Sequence, residues 1–179
     1  MARAGLLPEE ILEFNDRIVD RLLSLDYSAI TYVHTFLPIK NNNEPNMWRY
    51  IELVEKFYPR IRLVVSKSNP ADYSMDHFLY SSELELVENR WGISQPKSGL
   101  RIDETKLDLV IVPLLVADKK GGRVGYGKGF YDRFLSKCRP DCLKVGVSFF
   151  DPVDNISDVD RYDILLDKLV TPQAVISFA

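Results

Sequence analysis

Apolar positions along this chain follow two rhythms, one helical and one extended. Ile11, Phe14, Ile18, Leu22 and Leu25 recur at spacings of three and four, which puts them on one face of a helix over residues 8–25. Pro8 suits the first helical position, and Glu9 and Glu10 suit its positive end. Residues 29–37 are rich in β-branched and aromatic types and predict a strand; 38–45, with three consecutive asparagines, predicts a loop. A helix over 48–57 turns Ile51 and Val54 toward the core, and 61–65 reads as a second strand. Short strands are expected at 77–80 and 84–87, and a loop at 91–96. Residues 107–113 are almost all apolar, as expected of a strand buried on both faces. Tyr131, Leu135 and Cys138 share one face of a helix over 130–138, and strands follow at 143–149 and 174–178. Strands alternating with helices predict an α/β fold: a layered single domain over 1–179 with a largely parallel central sheet flanked by helices.

Composition narrows the function more than the fold. The chain has 179 residues, a formal net charge of −3 and a sequence pI near 5.5, which argues against a general nucleic-acid binder. No run approaches the roughly 18 apolar residues that span a membrane, and residues 1–10 lack the apolar stretch of a signal peptide. The expected setting is therefore cytoplasmic, with no membrane and no nucleic acid as partner. Cys138 and Cys142 are the only cysteines; no second Cys/His cluster accompanies them, so neither a disulfide scaffold nor a zinc site is expected. His34 and His77 read as structural histidines.

Chemistry is concentrated in Asp118–Arg133, which carries five of the nine glycines and five cations against two carboxylates. A buried strand precedes it and a helix start follows, an arrangement that lets backbone N–H groups approach an anion. Two familiar nucleotide motifs fail here. Gly122-x-x-x-x-Gly127-Lys128 continues with Gly129 where a P-loop needs Ser or Thr, and Gly125, Gly127 and Gly129 are spaced too evenly for a dinucleotide fingerprint. Arg123 can clamp a phosphoryl oxygen and Lys128 can offset its charge, and these are the candidate catalytic residues. Asp132 can hold magnesium or serve helix-start electrostatics; Asp118 reads as a loop-closing residue.

The segment Pro113-x-x-x-Ala117-Asp118-x-x-Gly121-x-Arg123-Val124-Gly125-Tyr126-Gly127-Lys128-Gly129-Phe130-Tyr131-Asp132-Arg133 resembles the signature of the 5-formyltetrahydrofolate cyclo-ligase family, also called methenyltetrahydrofolate synthetases. Weaker similarity extends to Leu7-Pro8-Glu9-Glu10, to Glu44, to Trp91-Gly92-Ile93-Ser94-Gln95-Pro96, and to Asp163-x-x-x-Asp167 followed by Val170-Thr171. The resemblance implies an ATP- and Mg2+-dependent enzyme that converts 5-formyltetrahydrofolate to 5,10-methenyltetrahydrofolate, releasing ADP and phosphate. It implies that Arg123, Val124, Gly125, Tyr126, Gly127, Lys128, Gly129, Phe130 and Tyr131 wrap the ATP phosphates. Tyr126 to Phe130 also face the folate on this reading, with Leu37 or Ile39 lining the pterin pocket and Glu44 accepting from pterin N–H groups. Met75 and Trp91 pack on the folate, or serve ordinary core packing. Asp132 and Asp163 are the implied magnesium carboxylates.

The sequence departs from the family pattern in places. The family's opening helix carries a K-x-x-x-R element that contacts ATP; it lies before the first helix seen here, and Arg3 falls after it. Reduced nucleotide affinity is the corresponding expectation, and a folate- or nucleotide-binding relative with weak turnover is the alternative reading. Ala117, Leu114, Phe130 and Met47 replace an aromatic, a glycine, a tyrosine and a threonine.

Overall fold

The structure, a computed structural model, describes residues 2–39, 42–89, 92–157 and 162–178. The elements follow in the order α1 (Pro8–Leu23), β1 (Tyr32–His34), α2 (Met47–Phe57), β2 (Arg62–Asn69), β3 (Ser74–Leu79), β4 (Leu86–Glu88), β5 (Ser94–Pro96), β6 (Leu109–Pro113), β7 (Val116–Ala117), β8 (Arg123–Val124), α3 (Phe130–Leu135), β9 (Leu143–Val147), β10 (Lys168–Val170) and β11 (Val175–Ser177). Seven strands form one sheet in the order β11-β10-β9-β6-β1-β2-β3. The five central strands run parallel, while β3 and β11 pair antiparallel at the two edges. This is the α/β fold with a largely parallel sheet that the alternating pattern predicts.

Each parallel strand feeds both faces of the sheet. Leu109 and Ile111 of β6 join Val33, Leu63, Val145 and Val147 beneath α1 and α2, whereas Val110 and Val112 join Val64, Leu169 and Phe134 on the α3 face. Burial on both sides explains why β6 reads as an unbroken apolar run. Gly146 of β9 is required by close packing: a Cβ there would lie 2.6 Å from Leu166 Cδ1 and 2.7 Å from Leu114 Cδ2.

Local chemistry sets the element ends. In α1, Pro8 takes the first position and the Glu10 carboxylate accepts from Leu7 N at 2.8 Å. In α2, the Asn46 side chain accepts from Trp48 N. The strand expected over 29–37 is only Tyr32–His34; at its start Thr31 N and Tyr32 N both donate to the Asp108 carboxylate at 2.8 Å rather than to a neighbouring strand. The helix expected over 130–138 stops at Leu135, after which Lys137 N and Cys138 N bond three residues back instead of four.

Three further differences have physical causes. The loop expected over 91–96 contains β5, which pairs with β4 in a hairpin. β10 is only three residues long, too short for periodicity to show, and is held between β9 and β11. Inside the glycine-rich segment, β7 and β8 form a two-residue ladder whose partners are Val116 with Val124 and Ala117 with Arg123. No helix of the described residues is long and apolar enough to cross a membrane.

Candidate active site

In the strand order, β1 lies between β2 and β6, so the chain leaves β1 in one direction and returns on its other side at β6. In open parallel sheets the crevice beyond the carboxyl ends at such a switch is where ligands sit. The segment after β1 carries Glu44, and the segment after β6 carries the glycine-rich loop. They meet: the Tyr126 hydroxyl donates to Glu44 Oε1 at 2.6 Å, and Asn42 Nδ2 donates to the Tyr126 hydroxyl at 3.2 Å. Glu44 is buried, and its other oxygen, Oε2, accepts from Ile39 N at 2.7 Å.

The loop is pinned at both ends. At the entrance, the buried Asp118 carboxylate accepts from Lys120 N and Gly122 N through Oδ1, both at 2.9 Å, and from Ile156 N through Oδ2 at 3.1 Å. Burial pushes this carboxyl up, but the three backbone donors outweigh it and the net shift is downward. Asp118 is thus the loop-closing residue the sequence suggests. Gly121 has φ +85°, and a Cβ on it would lie 2.7 Å from the Leu166 carbonyl oxygen.

At the exit, Arg123 Nη2 donates to Asp132 Oδ1 at 2.7 Å, and Arg123 Nη1 donates to the Ile164 carbonyl. Ile164 N also donates to Asp132 Oδ1, at 3.1 Å. The Arg123 side chain is only 5% exposed and that of Asp132 28%, so Arg123 fixes Asp132 from behind while the carboxylate keeps access to solvent. Asp163 directly precedes Ile164, which places the two acidic residues of the expected magnesium site in adjoining segments.

Between these anchors the backbone is open. Cβ atoms at Gly125 and Gly127 would meet nothing within 4 Å, and Gly127 and Gly129 have φ of +74° and +66°. Lys128 is exposed; its Nζ lies 6.0 Å from the Tyr73 ring centroid. Tyr73, itself at φ +58°, packs edge-on against Phe130 at 5.6 Å and under the Arg133 guanidinium at 5.5 Å. Burial pushes the Tyr131 hydroxyl well above its usual range, and the Glu44 charge adds to this.

Other expected site residues fall as follows. Leu37 is buried in the core on the α1 and α2 face, and Met75 is buried on the α3 face. Trp91 lies outside the described residues. Two further side chains join this region: Arg3, noted in the sequence only as falling after the family's basic element, and Tyr73, which sequence reasoning missed. Arg3 reaches from the amino-terminal turn to the end of β6, where Nη2 donates to the Leu114 carbonyl and Nη1 is buried with no hydrogen-bond partner among the described residues. Tyr73 arrives on the β2–β3 turn, and no spacing in the sequence connects it with the loop.

His34 and His77, which show no partner in the sequence, partner each other through Ser66. His34 Nε2 lies 2.6 Å from Ser66 Oγ, and Ser66 Oγ lies 2.9 Å from His77 Nδ1. Both imidazoles are buried against Phe134, with ring centroids 4.9 and 4.1 Å away. Burial depresses both pKa values, that of His77 to about 4. They are structural, as the sequence suggests.

Residues 1–172 match the profile of the 5-formyltetrahydrofolate cyclo-ligase family. The chain belongs to this family. Its cyclo-ligase relatives include the 5-formyltetrahydrofolate cyclo-ligase of Escherichia coli, 31% identical over 182 residues that cover 97% of this chain and 96% of that one. A probable 5-formyltetrahydrofolate cyclo-ligase of Schizosaccharomyces pombe is 37% identical over 105 residues, about half of each chain (51% of this one and 52% of the other). Among solved structures, the 5,10-methenyltetrahydrofolate synthetase of Aquifex aeolicus superposes with a TM-score of 0.82 at 29% identity, covering 98% of this chain and 87% of that one. The cyclo-ligase signature read from the sequence coincides with the pinned loop and the Arg123–Asp132 pair, and Tyr126 joins that loop to Glu44.

Proposed function

We propose that this chain converts 5-formyltetrahydrofolate to 5,10-methenyltetrahydrofolate in an ATP- and Mg2+-dependent reaction that releases ADP and phosphate. The observation that carries the reading is the meeting of Glu44 with the glycine loop at the sheet's switch point, in a chain of the cyclo-ligase family. ATP would supply the phosphoryl group that turns the formyl oxygen into a leaving group. The neighbouring folate amine then attacks the formyl carbon, the C–O bond breaks, phosphate departs and the amine loses its proton.

The chain's own contribution is positioning and charge. Glu44 accepts from the N–H donors of the pterin ring, and the backbone of 124–129, free of side-chain obstruction at Gly125 and Gly127, lies along the phosphates. Lys128, exposed on that loop, offsets phosphate charge. Arg123 spends two of its five donors on Ile164 and Asp132; its first task on this reading is to hold Asp132. Among the described residues no cluster of three or more His, Cys, Asp or Glu could hold a metal by itself. That fits magnesium, which takes one or two carboxylates and completes its shell with phosphate oxygens and water; Asp132 and Asp163 are the proposed ligands.

The test is turnover with 5-formyltetrahydrofolate, ATP and Mg2+, followed by absorbance of the methenyl product. Product formation that depends on all three components is expected. Absence of product from folded protein would sink the reading, and binding of folate without turnover would favour the non-catalytic relative.

A further inference from the structure

Both oxygens of Glu44 are engaged within the chain, one by the Ile39 amide and the other by the Tyr126 hydroxyl. The two partners differ in kind. Ile39 is five residues away on the same segment, so its bond belongs to the local turn. Tyr126 comes from 82 residues away, on the glycine loop, and the residue is 47% exposed. The hydroxyl therefore depends on the loop for its position and not on surrounding packing. On either side stand Gly125 and Gly127, where no atom would obstruct even an added Cβ, and Gly127 sits in the left-handed region at φ +74°. Rotation at these two residues can carry the ring away without disturbing the core.

We propose that Tyr126 is a displaceable cap on Glu44: its hydroxyl serves the buried carboxylate until the N–H donors of an arriving pterin take its place. This rests on the reading of Glu44 as the pterin acceptor. A buried carboxylate with few donors is unfavourable, and the Tyr126 hydroxyl lowers that penalty. Burial, and then the bond to Glu44, hold the Tyr126 phenol above its ordinary pKa, so it stays a donor at neutral pH. Asn42 Nδ2, donating to the same hydroxyl, closes the cap from the far side. The consequence is that part of the ligand's affinity is spent on displacing the tyrosine, and Tyr126 is a positioning residue that tunes folate affinity without touching the reacting atoms.

The experiment measures binding of 5-formyltetrahydrofolate without ATP, by calorimetry, to the intact chain and to Tyr126→Phe. The variant keeps the ring and loses the competing hydroxyl. Binding roughly tenfold tighter is expected, equivalent to about 1.4 kcal/mol, with KM for folate lowered in the same direction in the complete reaction. Unchanged or weaker binding overturns the proposal, since it would mean that the hydroxyl stays on Glu44 when the ligand is bound. Asn42→Ala, which loosens the cap from outside, is expected to shift affinity in the same direction by a smaller factor, and a shift in the opposite direction also counts against it. Glu44→Gln separates this inference from the one beneath it. If that change leaves folate affinity intact, the pterin assignment fails; if it weakens binding while Tyr126→Phe does not strengthen it, only the cap fails.

Discussion

Acid should unfold this protein through its two buried histidines before its carboxylates titrate. His77 has its pKa depressed from 6.5 to about 4, chiefly by burial; Glu104, with Oε1 3.9 Å from Nε2, and Asp76 and Asp103 pull it upward, while Lys137 adds to the depression. His34 is depressed too, by burial and by the facing His77. Because the folded-state value lies below the unfolded one, the unfolded chain takes up the proton first. The stabilisation is complete above pH 6.5 and is lost as pH falls toward 4. For His77 alone, a shift from 6.5 to about 4 corresponds to about 3 kcal/mol in the limit and about 2 kcal/mol by pH 5. His34 adds to this in the same window. The structural cause is burial: protonating either ring inserts a charge among Phe134 and the sheet, where the shared Ser66 hydroxyl can donate to only one of the two imidazoles and Glu104, 3.9 Å from His77, offsets only part of the cost. Urea unfolding at pH 7 and pH 5 measures the loss directly. His77→Asn keeps an acceptor near Ser66 and cannot titrate, and should flatten the profile by about 1.4 kcal/mol per pH unit between 6 and 4.5. Equal stability at pH 7 and pH 5, or an unaltered slope in the variant, would refute the reasoning.

Two further perturbations probe the frame of the site. Gly146→Ala pushes a methyl against Leu166 and Leu114 at 2.6 and 2.7 Å; a loss of about 1–3 kcal/mol is expected from overpacking, read as a lowered thermal midpoint, and an unchanged midpoint would show that these leucines give way freely. Asp118→Asn leaves an acceptor for Lys120 N and Gly122 N but sets an amide N–H2 against Ile156 N; about 1–3 kcal/mol of destabilisation is expected, with faster hydrogen exchange at the Gly122 and Ile156 amides.

Much of the fold was legible because it rests on periodicity. The helical spacing of Ile11, Phe14, Ile18 and Leu22 and the apolar run into β6 both correspond to real elements. What could not be read was short and set by partners distant in sequence. β10 and the β7–β8 ladder have two or three residues each, and the early stop of α3 depends on which carbonyls the next amides find. At the site, the spacing of Asp118, Gly121, Arg123 and Asp132 marks the loop in the sequence, but which side chain anchors which does not follow from it. Arg123 suits a phosphate clamp by residue type, yet the structure buries it against Asp132 and Ile164. The carboxyl-terminal motif behaves likewise: Asp167 accepts from Lys144 N at 2.7 Å, and Thr171 Oγ1 donates to Asp151 at 3.1 Å, so both tie β10 into the sheet. Tyr73 carries no signal at all and Arg3 only its place after the family's basic element, since each enters the site across more than 50 residues.

The double anchoring of the glycine-rich segment bears on how much order a ligand must impose. Asp118 fixes the chain through Gly122, the Leu166 N–H bonds the Gly121 carbonyl at 2.9 Å, and the Arg123–Asp132 pair closes the far end. Of the sixteen residues from Asp118 to Arg133, only the six from Val124 to Gly129 lie between the anchors. Fixing a residue's backbone costs about 1–2 kcal/mol of conformational entropy, so an untethered segment would surrender far more freedom on meeting its ligand than this one does. Folding has already frozen the remaining ten residues, and ligand binding needs to quiet only the short span that makes contact.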